Sequence, residues 1–147
     1  MEQTVLDQVE RPGASGGAAT RWAGRVLSGL AALFLLVDGG MKLAGAQVVT
    51  ATMAQLGWPS DLPMARLLGA LTVGAALLYL LPRTAVLGAL LLTAYLGGAV
   101  ATHVRIGNPL FSHVLFGVYL GVMLWGGLWL RDPRLRALLP LTAPSRR

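Results

Sequence analysis

Four long apolar stretches fill most of this chain and limit the folds that it can adopt. They run over residues 24–44, 64–81, 84–104 and 110–130. Each is close to the ~20 residues that an α-helix needs to cross the ~30 Å hydrocarbon core of a bilayer. Inside that core every backbone polar group must find its partner within the protein, which favours helices. The sequence therefore predicts an all-α fold, an integral membrane, antiparallel four-helix bundle.

The composition points to the same class. Hydrophobic residues make up 55% of the 147 residues and charged residues 12%, whereas a soluble domain carries about 25% charged residues. A chain of this length leaves no room for a second domain of ordinary size beside the bundle. The sequence contains no cysteine, which excludes disulfides, thiolate catalysis and cysteine-bound zinc or iron–sulfur clusters.

Basic residues are divided unevenly between the two sides that four spans create. With a cytoplasmic N-terminus, the inner side holds nine of them: Arg11, Arg21, Arg25, Arg83, Arg131, Arg134, Arg136, Arg146 and Arg147. The other side holds three: Lys42, Arg66 and Arg105. This distribution follows the positive-inside rule and predicts that both termini are cytoplasmic. The C-terminal arginines follow a span directly and lack interleaved aromatic residues, so they favour anionic lipid headgroups and no nucleic acid as a partner.

The remaining segments divide the chain into three parts. Residues 1–21 are polar and small, which predicts a disordered cytoplasmic tail. Residues 22–139 form the predicted four-span domain, and residues 140–147 form a basic cytoplasmic tail. Asp38 and Lys42 interrupt the end of the first stretch, which favours an uncleaved helix over a signal peptide.

Two local patterns add detail to the bundle. Gln47 to Leu56 is predicted as a short interfacial helix with its apolar residues on one side. Gly117 and Gly121 form a GxxxG pair in the fourth stretch, a spacing that lets helices approach closely in lipid. This pair is interpreted as internal packing, with a homo-oligomer contact as the alternative.

Asp38 and Lys42 are the first candidates for chemistry. They are four residues apart, so their side chains share one helix face. Asp38 lies about six residues inside the predicted helix end, which is roughly 9 Å at 1.5 Å per residue. A lone carboxylate at that depth is either protonated or drawn to a cation, and Lys42 supplies one. The pair is either a packing ion pair or part of a functional site.

A second polar group lies near the same membrane face. His103 and Arg105 end the third stretch, with Tyr95 and Thr102 on the turns before them, and His113 lies in the first turn of the fourth stretch. The short turn between the two stretches places the histidines near one another. Histidine exchanges protons near neutral pH or donates a hydrogen bond to a carbonyl. Asp38, His103 and His113 are therefore predicted as catalytic residues, with Lys42, Tyr95, Thr102 and Arg105 as ligand-binding residues.

A metal site is not predicted. The two histidines and Asp38 have no HxxxH or ExxH spacing, and Lys42 and Arg105 would repel a cation. No GxSxG, P-loop or GxGxxG motif is present, so the sequence indicates no hydrolase nucleophile and no nucleotide cofactor.

Several short motifs, in this order, resemble the small DoxX-like membrane proteins of bacteria over roughly residues 24–140. They are Asp38-Gly39-Gly40-Met41-Lys42-Leu43, Leu56-Gly57-Trp58-Pro59, Leu81-Pro82-Arg83-Thr84, the run from Tyr95 to His103, and Leu130-Arg131-Asp132-Pro133-Arg134-Leu135. The resemblance implies a four-helix bundle in the bacterial inner membrane. Some members of the family belong to quinone-linked thiosulfate-oxidising or redox-stress complexes, although a chain without cysteine does not fit a thiol-based role.

Three functions remain open at this point. The first is an accessory protein whose polar cluster binds a lipophilic carbonyl compound, such as a quinone, for a membrane redox partner. The second is a cofactor-independent enzyme that uses Asp38 and the histidines for acid–base chemistry on a lipophilic substrate, such as isomerisation, epoxide opening or cyclisation. The third is a structural or assembly subunit in which the charges serve packing.

Overall fold

Four long helices form the structure, a computed structural model that describes residues 14–138. The elements are α1 (Ala14–Ala44), α2 (Gln47–Gln55), α3 (Leu62–Leu80), α4 (Ala85–Arg105), a π-helical turn (Leu110–Val114), α5 (Phe116–Arg131) and α6 (Pro133–Leu138). No strand occurs within residues 14–138. Four segments are long and apolar enough to cross a bilayer: Gly17–Ala44, Leu62–Leu80, Ala85–Arg105 and Leu110–Arg131. The prediction of an all-α membrane bundle is confirmed.

The four long helices are arranged as a ring. Helix α1 packs against α3 and α5, α3 against α4, and α4 against α5, so α1 and α4 face each other across the diagonal. The core consists of small and branched side chains, among them Ala31, Leu35, Leu92 and Leu124. Many large apolar side chains point outward instead, as expected where lipid tails replace water around the bundle.

A polar junction ties three helices together at one end of the bundle. The fully buried Tyr79 places its hydroxyl oxygen 2.8 Å from the Leu124 carbonyl and 2.8 Å from the Ser28 hydroxyl. The carbonyl only accepts, so Tyr79 donates to it and accepts from Ser28. Arg131 donates to the Tyr79 carbonyl at 3.1 Å and lies 4.9 Å from its ring centre. This junction joins α1, α3 and α5.

The opposite end of the bundle carries α2, and we call it the α2 end. The ends of α1 and α4 and the start of α3 meet there. Asp61 begins α3 by accepting a hydrogen bond from the Met64 amide at 2.8 Å, which satisfies one of the free amides of a first turn. Helix α2 covers part of this end and packs on α3 through Val49 and Met53, which contact Ala65.

Two stretches differ from the sequence-based expectation. Helix α1 begins at Ala14, ahead of the predicted 24, and residues 14–21 form its first turns. Hydropathy marks only the part of a helix that lies in lipid, and a helix continues into water until a residue such as proline stops it. Residues 110–114 form a π-helical turn, whereas hydropathy predicts one α-helix over the fourth span. Residues 1–13 and 139–147, which include the predicted basic tail, lie outside the described residues.

Candidate functional site

A cavity of ≈ 470 Å³ lies at the α2 end, bordered by α1, α2, α4, the π-helical turn and α5, and by Leu68 of α3. Most of its lining is apolar and includes Leu35, Val48, Met53, Leu96, Phe116 and Leu120. Its volume falls in the range of ~300–1,000 Å³ that is usual for small-molecule sites, which are largely apolar with a few placed polar groups. The cavity is therefore large enough to hold an organic ligand.

Six of the seven site residues predicted from the sequence line this one cavity: Asp38, Lys42, Tyr95, Thr102, His103 and His113. They come from α1, α4 and the π-helical turn. The seventh, Arg105, does not line it, and its guanidinium instead donates to the Leu56 carbonyl at 2.6 Å. Arg105 thus holds the C-terminal end of α2 to α4. The structure brings the predicted polar residues together, and their roles in binding or catalysis stay a prediction.

The ion pair of Asp38 and Lys42 lies on the α1 wall of the cavity. Lys42 Nζ donates to Asp38 Oδ2, as the four-residue spacing predicts. The Lys42 side chain is 15% exposed and that of Asp38 is 30% exposed. The lysine nitrogen also lies 6.0 Å from the centre of the Tyr95 ring, across the bundle on α4. A cation near a ring face is attracted to it, so Lys42 connects the two diagonal helices.

The two histidines form the part of the site nearest the α4–α5 connection. Their ring centres are 5.7 Å apart at an interplanar angle of 60°. The Asn108 side-chain amide nitrogen is 2.6 Å from His103 Nδ1. An amide nitrogen only donates, so in this orientation neutral His103 accepts at Nδ1 and carries its proton on Nε2. The Ser112 hydroxyl lies 2.8 Å from His113 Nδ1.

The two hydroxyl groups on α4 differ in what they can offer to a ligand. Thr102 donates its hydrogen to the Gly98 carbonyl at 2.9 Å, so it retains only acceptor lone pairs. The Tyr95 hydroxyl makes no hydrogen bond to another described residue. Tyr95 is half-buried and lines the cavity. Within the described part of the chain it is therefore a free donor, on a ring whose centre lies 6.0 Å from Lys42 Nζ.

His113 lies in the π-helical turn Leu110–Val114, which precedes α5. The amides of Val114 and Leu115 donate to carbonyls five residues earlier, at 3.3 Å from Pro109 and 2.8 Å from Leu110. A π-turn adds one residue to a helical turn and rotates the side chains that follow, and such turns are frequent at functional sites. Pro109 sets this turn by ending the preceding loop. No sequence periodicity distinguishes it from an α-helical start.

Several residues of the site were not predicted from the sequence. Asn108 and Ser112 each form a hydrogen bond with a histidine of the site. Phe34, Val48 and Trp58 also line the cavity. The apolar side of α2 could have indicated that this helix borders the site, because an interfacial helix turns its apolar side toward either lipid or protein.

The polar end of the cavity combines donors and one ion pair within an apolar wall. Lys42 has three hydrogens and gives one of them to Asp38, so hydrogens remain for a ligand oxygen. Among the described residues, no group of three histidine, aspartate or glutamate side chains is placed to hold a metal ion. The arrangement is suited to binding a hydrogen-bond acceptor at one end of a hydrophobic molecule.

Comparison with known proteins gives a family. No curated protein and no solved structure matches the chain significantly. Residues 26–127, most of the chain, match the DoxX-like family. This range contains the four spans almost completely and includes every side chain described above as part of the site. The chain is a multi-pass membrane protein that belongs to the DoxX-like family.

Proposed function

We propose that the protein binds a lipophilic carbonyl compound of the quinone type in the cavity at the α2 end, and that it serves as an accessory subunit of a membrane redox enzyme. The observation that carries this proposal is the presence of unused donors in an apolar cavity. Lys42 keeps hydrogens beyond the one given to Asp38, and the Tyr95 hydroxyl has no partner among the described residues. A carbonyl oxygen satisfies both kinds of donor.

The charges favour a neutral head group. Asp38 and Lys42 cancel one another, and a further buried charge would lack a partner. The His103 Nε2 hydrogen provides a third donor. A quinone offers two carbonyl oxygens on opposite sides of a flat apolar ring, which suits donors on both α1 and α4. The quinone would be held as a ligand through these hydrogen bonds.

The orientation in the membrane follows from the arginines. At the end opposite the cavity, the described residues include Arg21, Arg25, Arg83, Arg131, Arg134 and Arg136. At the α2 end lie Lys42, Arg66 and Arg105. By the positive-inside rule, we propose that the arginine-rich end and both termini lie in the cytoplasm of a bacterial inner membrane. The cavity belongs to the outer leaflet, where lipophilic ligands reach it from the bilayer.

Filling the cavity tests the proposal. Ala99 lines the cavity from α4, and Ala101 lies exposed on the same helix outside its lining. We expect wild-type protein in lipid nanodiscs to bind a short-chain benzoquinone saturably. Ala99→Phe should weaken binding at least about tenfold because its ring occupies the ligand's space, a loss of ~1.4 kcal/mol.

The matched variant Ala101→Phe should bind as the wild type does, because it adds the same ring on the lipid side. Equilibrium binding with a radiolabelled ligand measures both variants, and size-exclusion profiles check that each is folded. Non-saturable uptake by all three proteins, equal to that of empty nanodiscs, would contradict the proposal.

A second candidate function is acid–base catalysis on a lipophilic substrate. It is favoured by the position of Asp38 and two histidines on one apolar cavity, since such groups exchange protons with a bound substrate. Asp38→Asn should then lower turnover at least about 100-fold, the contribution typical of one general acid or base. The rate of substrate isomerisation measured by chromatography is the readout, and wild-type turnover by the Asp38→Asn variant would eliminate this candidate.

A further inference from the structure

We infer that the ligand carries a long hydrocarbon chain, and that this chain leaves the cavity sideways into the bilayer between α1 and α5, past Phe34 and Phe116. This inference rests on the proposed function and specifies its ligand as an amphiphile with a polar head and one apolar tail. Four seams between neighbouring helices surround the cavity, and they differ in what closes them.

Backbone contact closes the seam between α1 and α3. A methyl group added at Gly39 would lie 3.2 Å from the Gly69 carbonyl oxygen, and one at Gly69 would lie 2.7 Å from the Gly39 carbonyl oxygen. The two helices therefore touch through their main chains. This contact lies beside Lys42, whose Cβ would be 2.9 Å from a methyl group at Gly69. No chain of methylene groups passes through such a contact.

The seam between α4 and α5 is also closed, at the depth of the cavity. A methyl group at Gly117 would lie 2.9 Å from the Val100 side chain and 3.2 Å from the Leu96 carbonyl oxygen. Gly117, Val100 and Leu96 all line the cavity. They therefore form a packed wall between the cavity and a separate groove of ≈ 420 Å³ on the outer side of α4 and α5.

Helix α2 covers the seam between α3 and α4. Its Val49 and Met53 pack on Ala65 of α3. At its far end, the Leu56 carbonyl accepts a hydrogen bond from Arg105 of α4. Helix α2 thus bridges both helices at the level where the cavity would otherwise open between them.

Two aromatic side chains meet in the seam between α1 and α5 at the level of the cavity. Phe34 of α1 and Phe116 of α5 both line the cavity, and their ring centres are 5.1 Å apart in an edge-to-face contact. They are 44% and 41% exposed on the outer surface. Two rings that reach both the cavity and the lipid move aside by rotation about their side-chain bonds, without a change in the backbone.

The depth of this contact suits a hydrocarbon tail. Phe34 precedes the end of α1 at Ala44 by ten residues, which corresponds to ~15 Å along a helix. That distance places the ring near the middle of a ~30 Å hydrocarbon core. The tail of a ligand whose head group lies at Lys42 would then extend into the hydrocarbon core of the bilayer, from which the ligand enters.

A reversible cross-link tests the inference. The chain has no cysteine, so Phe34→Cys with Phe116→Cys creates a pair that a short, reducible bis-maleimide links across the α1–α5 seam. Leu68→Cys with Gly98→Cys is the matched pair on the α3–α4 side, where both positions also line the cavity. Each linked protein is tested in nanodiscs with two ligands that share one benzoquinone head, one with a methyl group and one with a ten-unit isoprenoid tail.

Before linking, both ligands should bind to each double variant with affinities within a few-fold of each other. The link at 34 and 116 should weaken binding of the long-tailed ligand at least tenfold and spare the short one, and reduction should restore binding. The link between positions 68 and 98 should change the binding of the short-tailed and the long-tailed ligand by the same factor. Equal binding of both ligands to the 34–116-linked protein, loss of both, or a selective block by the 68–98 link would overturn the inference. Failure of the short ligand to bind any unlinked protein would instead refute the proposed function.

Discussion

Gly88→Ala should strongly reduce the amount of folded protein, because at this position the backbones of α3 and α4 are in contact. A methyl group at Gly88 would lie 2.2 Å from the Tyr79 amide nitrogen, 2.5 Å from its Cα and 2.8 Å from the Ala75 carbonyl oxygen. All three are main-chain atoms of α3, so no flexible side chain yields to the new group. The helices must separate, and Tyr79 is the residue whose hydroxyl joins α1, α3 and α5.

The cost of Gly88→Ala should reach or exceed ~3 kcal/mol, the upper end of the range for overpacked cores. Gly97→Ala on the same helix is the matched control, because a methyl group there meets no atom within 4 Å. It should leave stability unchanged or raise it by ~0.5–1 kcal/mol, the helix preference of alanine over glycine. Thermal unfolding in detergent, together with the yield of monodisperse protein, measures both. Equal melting temperatures for the two variants would show that α3 and α4 do not touch at Gly88.

Lys42→Met should both destabilise the bundle and abolish most ligand binding. The substitution leaves Asp38 in the cavity wall without its cation. Breaking a buried pair costs ~3–5 kcal/mol. We expect about 2 kcal/mol here, because Asp38 is 30% exposed and exposure to solvent weakens the effect of an unpaired charge. Loss of a charged donor to a carbonyl costs a further ~1.5–3 kcal/mol of binding, which is roughly a 10- to 100-fold loss of affinity.

A double variant separates these two effects. Asp38→Asn with Lys42→Met removes both charges, so thermal stability should recover most of the loss, while quinone affinity should stay as low as in the single variant. Arg66→Met at the same end is the control for the loss of a positive charge, since Arg66 does not line the cavity. This variant should bind the quinone with wild-type affinity. If the double variant binds as tightly as the wild type, Lys42 is a packing residue and does not contact the ligand.

Hydropathy predicted the parts of the fold that depend on the bilayer. The predicted spans 64–81 and 84–104 correspond to Leu62–Leu80 and Ala85–Arg105, because the hydrocarbon core imposes one length on every crossing helix. Helix spacing and the alternation of spans also predicted that Asp38, Lys42, His103 and His113 lie close together. These residues line one cavity because alternate helix ends must meet at the same membrane face.

Other features depend on contacts that a single sequence does not encode locally. The π-helical turn before α5, which contains His113, depends on hydrogen bonds from Val114 and Leu115 to the Pro109 and Leu110 carbonyls. The charge of Arg105 suggests ligand binding, whereas its guanidinium donates to Leu56 at the end of α2. Which of the apolar residues face the cavity and which face lipid depends on helix rotation, since a lipid-exposed helix is apolar on all sides.

The most direct test of a ligand site at the α2 end is a crystal structure of the protein grown with the short-chain benzoquinone. A bound ring should lie in the cavity with one carbonyl oxygen within hydrogen-bond distance of Lys42 Nζ or the Tyr95 hydroxyl. A well-resolved structure in which the quinone lies on the lipid-facing surface, while the cavity holds a lipid tail or has collapsed, would contradict it.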